Sequence, residues 1–525
     1  MKSHTLLLAA VSLVPATALA DWSSFRNGGS SVADGELPSK WTPDQGIVWQ
    51  QELPGYGQST PVVVGKHVYV TSVIGPMKDT CAVLCMSLDD GSEVWRSETP
   101  ASAKAASNYM ASRAAPTPVA DENGVYAFFE SGDIIAVSST GDQLWHRNLS
   151  EELGKFENNH GLGSSPAQNA THVFINLEHK GPSCLVAIDK SSGKIDWKAE
   201  RPSGSSWSSP VVVDHADRSL ILVSSAGSVS AYDAATGKQF WEIDDLEGNT
   251  VPSPTPLGDR LYVGARLPEF AKEGSVRSNC CIELKADGTN APEIAWRADR
   301  AISDYASPVA IGRYVYFINK VGVLTCVDGP TGKTHYRKRL SGECWATPIA
   351  AGNHLYCFAK NGSSQIIAAG DEYKLVATNN LWDQKSPPKP ETYVETARGG
   401  HGHGTAGPAA GQHSQASGAK PAEGSPGAAR RPGGGMVAAM MRGDKDGDGN
   451  LSADEIPPDF KPMLARIDTN GDGSLDAGEL KAMADSFAKR RAGSQASARD
   501  PIVYGAVASE GSIVVRTGTR LYCIR

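Results

Sequence analysis

The feature of this sequence that most constrains its fold is a recurring Gly-x-x-x-Trp spacing. It is most complete at residues 231–241, AYDAATGKQFW, where Asp233 and Thr236 can hydrogen-bond a turn. Gly237 supplies the positive φ that a tight hairpin turn often needs. The spacing occurs at Gly91–Trp95, Gly141–Trp145, Gly193–Trp197 and Gly237–Trp241, and at Gly332–Tyr336 with Tyr in place of Trp. One hairpin-containing unit is therefore repeated along the chain.

A Ser/Thr-Pro dipeptide marks the start of each unit. Seven copies occur, at Thr60-Pro61, Thr117-Pro118, Ser165-Pro166, Ser209-Pro210, Ser253-Pro254, Ser307-Pro308 and Thr347-Pro348. In six of them an aromatic residue follows the proline by eight positions: Tyr69, Tyr126, Phe174, Tyr262, Tyr316 and Tyr356. Proline is tolerated at the first residue of a strand, and aromatic residues favour strands. Each unit is therefore predicted to form four short antiparallel strands, and a period of about 40 to 50 residues is typical of propeller blades.

An eighth unit is divided between the two ends of the chain. Residues 503–525 have Ala506 in place of the proline and Val514 in place of the aromatic residue, and they stop before a Trp-bearing outer strand. Residues 46–51, GIVWQQ, form a separate strand that carries Trp49. Joining these two segments in one blade closes the ring and leaves no large open sheet edge. The predicted fold is all-β, an eight-bladed β-propeller closed by N- and C-terminal strands, with blades 1–7 and the closing strand in 46–383 and the last blade in 502–525.

The repeated A-x-D-x-x-T-G-x-x-x-W, best matched at 187–197 and 231–241, resembles the tryptophan-docking repeat of the PQQ-like eight-bladed β-propeller family. That family contains the quinoprotein alcohol dehydrogenases and the non-catalytic lipoprotein of the outer-membrane β-barrel assembly machinery. The resemblance implies the fold. It does not decide between these functions, because one fold hosts many functions.

The first 20 residues are predicted to be a cleaved secretory signal. Lys2 precedes an apolar run over 6–14, and Ala18-Leu19-Ala20 precedes Asp21. This run and all later apolar stretches are shorter than the roughly 18 residues that a membrane span needs. We therefore expect a periplasmic or secreted monomer without a membrane span, in which residues 21–45 form a tail that packs on the propeller. A net charge of -8 offers no basic surface for nucleic acid, so we expect none as a partner.

The loops that precede the innermost strands are predicted to cluster around one mouth of the central channel, which is a common binding place in propellers. The candidate binding residues there are Tyr109, Arg113, Asn159, His160, Trp207, Asn249, Asp304, Tyr305 and Glu343. The alternative is that these polar groups simply satisfy loop backbone and solvent. The sequence does not identify the ligand or the protein or cell-envelope partner.

The resemblance also implies what a quinoprotein site would need: PQQ under a vicinal disulfide, a calcium ion held by acidic and amide groups, and a catalytic Asp. Cys280 and Cys281 are adjacent, but the segment 275–288, SVRSNCCIELKADG, is predicted to be an interior strand that runs into a turn. That places the pair inside a blade and not over the channel. We find no segment that supplies both carboxylates, so we expect neither a PQQ site nor a catalytic residue.

Residues 384–435 consist mainly of Gly, Ala, Pro and Ser and are predicted to be a disordered linker. Residues 436–491 then contain two complete EF-hand loops, DKDGDGNLSADE and DTNGDGSLDAGE, within a small α-helical pair. The predicted calcium ligands are Asp444, Asp446, Asp448, Asn450, Ser452 and Glu455 in the first loop, and Asp468, Asn470, Asp472, Ser474, Asp476 and Glu479 in the second. In EF-hand proteins the residues at the positions of Leu451 and Leu475 pair as a short β-bridge between the two loops.

These features predict an exported, non-catalytic PQQ-like propeller that binds or scaffolds a partner and carries a calcium-binding EF-hand module. Two alternatives remain open. One is a PQQ-dependent dehydrogenase. The other is a calcium-dependent docking protein of dockerin-like type, because the two loops begin only 24 residues apart, at 444 and 468.

Overall fold

The computed structural model describes most of the propeller region and a few residues of the EF-hand region. The described residues are 21–105, 111–158, 160–225, 227–266, 278–392, 444, 450–452, 454–456, 474–476, 478–480, 498–499 and 501–525. The predicted signal peptide and residues 393–435 of the predicted linker lie outside them. The chain divides into two compact units, Met1–Thr396 with Ala498–Arg525, and Ala397–Ser497.

The described residues of the larger unit form eight blades, of which seven are four-stranded sheets and one is extended to five strands by a strand of the N-terminal segment. The N-terminal segment contributes β1 (Val32–Ala33) and β2 (Ile47–Glu52). Blade 1 is β3 (Val62–Val64), β4 (His67–Ile74), β5 (Thr80–Ser87) and β6 (Glu93–Pro100). Blade 2 is β7 (Val119–Asp121), β8 (Gly124–Phe128), β9 (Asp133–Ser138) and β10 (Gln143–Asn148), followed by the short helix α1 (Leu149–Leu153). Blade 3 is β11 (Ala167–Gln168), β12 (His172–Leu177), β13 (Ser183–Asp189) and β14 (Ile195–Arg201).

The remaining blades repeat this order. Blade 4 is β15 (Val211–His215), β16 (Arg218–Ser225), β17 (Ser228–Asp233) and β18 (Gln239–Ile243). Blade 5 is β19 (Thr255–Leu257), β20 (Arg260–Val263), β21 (Cys280–Glu283) and β22 (Glu293–Arg297). Blade 6 is β23 (Val309–Ile311), β24 (Tyr314–Ile318), β25 (Val323–Asp328) and β26 (Thr334–Arg339). Blade 7 is β27 (Ile349–Ala351), β28 (His354–Phe358), β29 (Ser363–Ala368) and β30 (Lys374–Asn380).

Blade 8 closes the ring with strands from both ends of the sequence. After blade 7, β31 (Glu391–Thr392) pairs with β32 (Ala498–Arg499), and β33 (Gly505–Ser509), β34 (Ser512–Arg516) and β35 (Arg520–Ile524) follow. Strand β2 pairs antiparallel with β35, and Trp49 lies opposite Cys523. The predicted eight-bladed propeller, closed by N- and C-terminal strands, is confirmed. The expected linker begins at 384, but Glu391 is buried and its carboxylate accepts from Gly518 N in blade 8 at 2.9 Å.

The Gly-x-x-x-Trp spacing encodes the contact between neighbouring blades. In all eight blades the outer strand has a β-bulge at the residue before the Trp position, for example Leu144 before Trp145. A bulge re-aims the side chain that follows it. The indole N–H of Trp145 donates to Lys190 O at 2.8 Å in the next blade, and its ring covers Gly193. Trp49, Trp95, Trp197 and Trp296 make the same pair of contacts with the blade that follows each of them.

The Ser/Thr-Pro dipeptides form a hydrogen-bonded belt around the channel. The backbone N–H of Thr60 donates to Thr117 Oγ1 at 2.9 Å, and the N–H of Thr117 donates to Ser165 Oγ at 3.0 Å. The pattern continues from blade to blade as far as Thr347. In blade 8 the position belongs to Gly505, where a Cβ would lie 2.4 Å from Thr60 Oγ1. The belt therefore holds the inner strands in register across blade boundaries.

The N-terminal segment lies along the wall of the central channel. Trp22 forms a β-bridge with Val63 of blade 1, and Ser23 O accepts from Ala120 N at 2.9 Å in blade 2. Arg26 donates to carbonyl oxygens of blades 5 and 6, and β1 pairs parallel with β27 of blade 7. We expected residues 21–45 to pack on the propeller, and in the structure residues 22–33 run inside its channel.

Substituting a glycine of the repeat tests the blade contact. Gly237 has φ +71°, and an added Cβ would lie 2.4 Å from Cε3 of Trp197. Gly237→Ala should lower the free energy of unfolding by about 2–4 kcal/mol, because it adds overpacking to backbone strain. Gly258→Ala is the control, since Gly258 has φ +59° with no atom near its Cβ position. Thermal and urea unfolding of both variants should separate them, and equal losses would contradict the proposed contact.

Candidate functional site

The predicted channel-mouth residues occupy several different environments. Tyr109 and Asn159 lie outside the described residues. Asn249 is fully buried: its Nδ2 donates to Ser224 Oγ at 3.0 Å and to Ser228 O at 2.8 Å, and its Oδ1 accepts from Gly227 N at 2.9 Å. Every polar atom of the Asn249 side chain thus holds a turn of blade 4. At this residue the side chain satisfies its own loop, which was the alternative to binding a ligand.

Two further acidic candidates are also engaged with neighbouring groups. Asp304 Oδ2 accepts from Lys320 N at 2.8 Å. Glu343 forms an ion pair with Lys360 at 3.2 Å, and Lys360 Nζ lies 4.5 Å from the ring centroid of Trp345. Both carboxylates therefore stabilise loops, and Lys360 and Trp345 form a cation–π pair beside Glu343.

Two of the predicted mouth residues, His160 and Tyr305, each pack against a tryptophan. His160 packs against Trp207 with ring centroids 5.8 Å apart, and Tyr305 packs edge-on against Trp345 at 5.4 Å. Tyr305 and Trp345 border a cavity of about 70 Å³ whose other lining residues include Arg26 of the N-terminal segment. Sequence reasoning missed Trp345, although it lies in the same loop as Glu343 and has the residue type expected at a binding surface.

Arg113 lies in a second and larger cavity. Its guanidinium carbon is 4.6 Å from the ring centroid of Tyr56, and its side chain is 1% exposed. This cavity, which we call the seam pocket, has a volume of about 390 Å³. It is lined by Glu52, Leu53, Gly55, Tyr56, Val73, Gly75, Lys78, Arg113, Lys389, Pro390, Glu391, Thr519 and Arg520. The seam pocket thus lies between blades 8 and 1 and the segment that contains Lys389 and Pro390. No sequence motif indicates this pocket.

Burial changes the ionisation of groups around these cavities. It lowers the pKa of Arg26 and of Arg516 to about 9, because a buried guanidinium loses hydration. It also raises the pKa of Tyr56, and the hydrogen bond of 2.9 Å between the Tyr56 and Tyr504 hydroxyls adds to this. Arg26 has no carboxylate within ion-pair distance among the described residues.

Cys280 and Cys281 lie in β21 of blade 5, as expected, and both are fully buried free thiols. Cys280 packs with residues of blades 4 and 5, including Leu222, whereas Cys281 packs with residues of blades 5 and 6, including Phe317. Successive side chains of a strand point to opposite faces. Burial raises the pKa of both thiols to about 12. The pair therefore does not fit the vicinal disulfide that the resemblance implies for a PQQ site.

The described residues of the EF-hand region show how its two loops pair. Leu451 and Leu475 form the expected β-bridge, with N–H to O distances of 2.9 Å in both directions. Glu455 Oε2 accepts from Ser452 N at 3.1 Å, and Glu479 Oε2 accepts from Asp476 N at 3.2 Å. The Ser452 contact is half of a capping box at the start of the exiting helix, and Asp476 Oδ1 also accepts from Glu479 N at 2.8 Å, which completes the capping box of the second loop.

The remaining predicted ligands divide into two groups. Asp444, Asn450 and Ser474 are described, whereas Asp446, Asp448, Asp468, Asn470 and Asp472 lie outside the described residues, as do most of the predicted helices. The donor set consists of carboxylate, amide, hydroxyl and carbonyl oxygens, which suits a hard cation such as Ca²⁺.

The arrangement of repeats, bulges and docked tryptophans defines an eight-bladed, tryptophan-docked β-propeller. Three overlapping matches to the family described as outer membrane protein assembly factor BamB cover residues 32–181, 150–291 and 284–397. The chain belongs to this PQQ-like propeller family. A separate EF-hand family match covers residues 460–484. No helix of the described residues is long and apolar enough to cross a membrane.

Curated relatives include an outer membrane assembly factor and a dehydrogenase. The outer membrane protein assembly factor BamB of Burkholderia pseudomallei is 27% identical over 230 residues, 42% of this chain and 54% of that protein. A polyvinylalcohol dehydrogenase of Sphingopyxis sp. is 24% identical over 302 residues, 46% of this chain and 44% of that protein. The chain thus spans about half the length of the curated relatives that it matches.

Similar solved structures also include an assembly factor and a dehydrogenase. BamB from Moraxella catarrhalis has a TM-score of 0.46 and 15% identity, and the match covers 64% of this chain and 88% of that one. A europium-containing methanol dehydrogenase has a TM-score of 0.48 and 11% identity, and the match covers 69% of this chain and 85% of that one.

Proposed function

We propose that this protein is a non-catalytic binding propeller of the cell envelope that carries a calcium-binding EF-hand module. The observation that carries the proposal is the placement of Cys280 and Cys281 in β21. A vicinal disulfide would require both sulfurs on one side of the backbone, but these side chains pack on opposite faces of blade 5.

The occupied channel also supports a binding role over a catalytic one. Arg26 is completely buried and donates to Ser253 O at 3.3 Å, Pro254 O at 3.1 Å and Pro308 O at 3.2 Å. The chain's own N-terminal segment therefore occupies the channel, which leaves less of the channel open to a cofactor and substrate. Binding is left to the mouth and to the seam pocket.

Export to the envelope is part of the proposal. The secretory pattern of residues 1–20 supports it, and so does the membership of a family described by an outer membrane assembly factor. Calcium binding is supported by the EF-hand match at 460–484 and by the oxygen-rich loops that begin at Asp444 and Asp468. Extracellular calcium sites are generally weak and filled, so we assign this calcium a structural role.

Dye-linked oxidation tests the non-catalytic assignment. The full chain, supplied with PQQ and Ca²⁺, is expected not to reduce an electron-acceptor dye with primary alcohols, polyvinyl alcohol or aldose sugars. A quinoprotein dehydrogenase assayed alongside is the positive control. Turnover is the readout, because PQQ is itself an anion and its binding alone would not establish catalysis. Saturable turnover of any of these substrates would overturn the proposal.

A further inference from the structure

Three side chains that can bind a metal ion meet at one corner of blade 3. His172 begins β12, Asp189 ends β13 and Asp196 lies in β14. One ligand atom from each side chain lies within 4.8 Å of the other two. An ion with bonds of about 2.0–2.2 Å separates neighbouring ligand atoms by roughly 3–4 Å, so small side-chain rotations bring all three atoms onto one ion.

The strand register of blade 3 brings the cluster together. His172 lies opposite Asp189 across β12 and β13. Asp196 is the bulge residue of the outer strand, directly before the docked Trp197. In six of the other seven blades the bulge residue is Val, Leu, Phe or Ala, and in blade 6 it is His335. A carboxylate at this position is therefore a feature of blade 3 and not of the repeat.

The histidine ring is oriented so that Nε2 faces the cluster. His172 Nδ1 lies 2.8 Å from Thr171 Oγ1, and the Thr171 hydroxyl can donate to Asn169 Oδ1 at 3.4 Å. Thr171 Oγ1 can therefore accept a proton held on Nδ1, which is how a metal-ligating histidine is usually supported by a neighbour. Without a metal, Nε2 lies 2.8 Å from Asp196 Oδ2. A metal takes the Nε2 lone pair, and the proton of the neutral ring is then carried on Nδ1.

Hydrogen bonds hold the Asp189 carboxylate by one oxygen. Its Oδ1 accepts from Ser191 Oγ at 2.6 Å, from Ser192 N at 2.8 Å and from Ser192 Oγ at 2.6 Å. These hydrogen bonds lower the pKa of Asp189 to about 2, so the group is a carboxylate at neutral pH. Within the described part of the chain they all end on Oδ1, which leaves Oδ2 to a metal.

The ligand types and the exposure of the cluster indicate which ion it suits. Calcium prefers oxygen ligands alone, whereas an imidazole beside carboxylates suits Zn²⁺ and related divalent transition metals. The side chain of His172 is 18% exposed and that of Asp196 is 50% exposed, so water can reach the cluster. Three protein ligands with water in the remaining position are common at open zinc sites.

We propose that blade 3 binds one divalent transition-metal ion, such as Zn²⁺, through His172 Nε2, Asp189 Oδ2 and a carboxylate oxygen of Asp196, with water completing the coordination. The ion links three successive strands of one blade, so it stabilises the folded propeller by binding to it. The site is distinct from the EF-hand loops and does not depend on the function proposed above.

Zn²⁺ titration of the full chain tests the proposal. The reference chain carries His401→Gln, His403→Gln and His413→Gln, so that the histidines of the predicted linker supply no ligand. Calcium at about 1 mM is present throughout to fill the EF-hand loops. Calorimetry should show Zn²⁺ uptake, and scanning fluorimetry should show a rise in melting temperature with Zn²⁺ that Mg²⁺ does not produce.

Two variants of the reference chain each remove one proposed ligand. His172→Gln and Asp196→Asn should each weaken Zn²⁺ binding at least tenfold, because loss of even an outer-shell partner of a metal typically costs about 10–100-fold. Both side chains lie at the surface of the blade, so we expect both variants to keep the metal-free melting temperature of the reference chain. Asp189 is left in place because it holds the turn before β14.

His354→Gln is the matched control. His354 occupies the position of His172 in blade 7, but it lies opposite Ala368, and the bulge residue of that blade is Val376. This variant should bind Zn²⁺ as tightly as the reference chain does. Unchanged affinity in His172→Gln or Asp196→Asn would overturn the assignment, and so would an equal loss in His354→Gln. Absence of Zn²⁺ uptake by the reference chain at about 1 mM would also overturn it.

Discussion

A chain that ends at Thr519 is expected to lose the cooperative thermal unfolding of the full chain. The deletion removes β35, which lies between β34 and β2, and so leaves the strand of Trp49 without a partner. Four fully buried side chains are lost with it: Leu521, Tyr522, Cys523 and Ile524. Burying such a side chain stabilises a protein by about 1.5–3 kcal/mol, so roughly 6–12 kcal/mol disappears. This is comparable to a total stability of about 5–15 kcal/mol.

Replacing residues 393–497 with a short hairpin loop should instead leave the melting temperature within a few degrees. β31 and β32 already pair antiparallel, with Glu391 opposite Arg499, so the two ends of the replaced segment are adjacent. A loop of about two to five residues suffices for such a pair. The replaced segment contains the separate compact unit Ala397–Ser497, and the cost of closing a long loop grows only logarithmically.

The replacement must begin after Thr392, because Glu391 is part of the closure. Its carboxylate accepts from Gly518 N at 2.9 Å and from the Thr517 hydroxyl, and so it binds the turn between β34 and β35. Circular dichroism and differential scanning fluorimetry of the full, truncated and excised chains make the comparison. A native truncated chain together with an unfolded excised chain would contradict the role of the terminal strands in closing the ring.

Calcium titration of the full chain is expected to show two sites, and Glu455→Gln and Glu479→Gln should each remove one. Each glutamate is the predicted bidentate ligand at position 12 of its loop, and an amide cannot replace both carboxylate oxygens as anionic ligands. The double variant should bind no calcium in calorimetry.

Glutamine separates calcium binding from folding in this test. In the structure Glu455 and Glu479 also accept hydrogen bonds from the backbone N–H groups of Ser452 and Asp476, and a glutamine at N3 keeps this contact. Asp454→Asn is the matched control, because it removes one charge from an exposed position beside Glu455 that is not among the predicted ligands. The calcium assignment would be wrong if the full chain took up no calcium, or if Asp454→Asn lost as much as Glu455→Gln.

The repeated patterns could be recognised in the sequence because every blade needs the same hairpin turn and the same contact with its neighbour. The Gly-x-x-x-Trp spacing indicated the hairpin and its phase, and Trp49 in GIVWQQ indicated the strand missing from the last unit. The bridge between Leu451 and Leu475 was expected from the resemblance of the two loops to EF-hands. These patterns depend on residues that are close in sequence or recur at a fixed period, so the chain alone reveals them.

The channel-mouth candidates were less predictable. Tyr305 and Arg113 occupy equivalent loops but line different cavities, and Asn249 is used entirely within a turn. A loop position predicts that a side chain lies near the mouth. It does not predict which neighbour from another blade will engage it.

The sequence by itself determined the number of blades, their order and the closure of the ring by both ends, because these follow from periodic apolar and turn residues that each blade needs locally. Only the tertiary structure shows that the N-terminal segment occupies the channel and that charged residues meet groups distant from them in sequence. Arg26 meets carbonyl groups more than 200 positions away, and Glu391 reaches Gly518 across a separate inserted unit. Such contacts occur once, without a period, and their energies depend on burial and on neighbouring charges that exist only after the ring has closed.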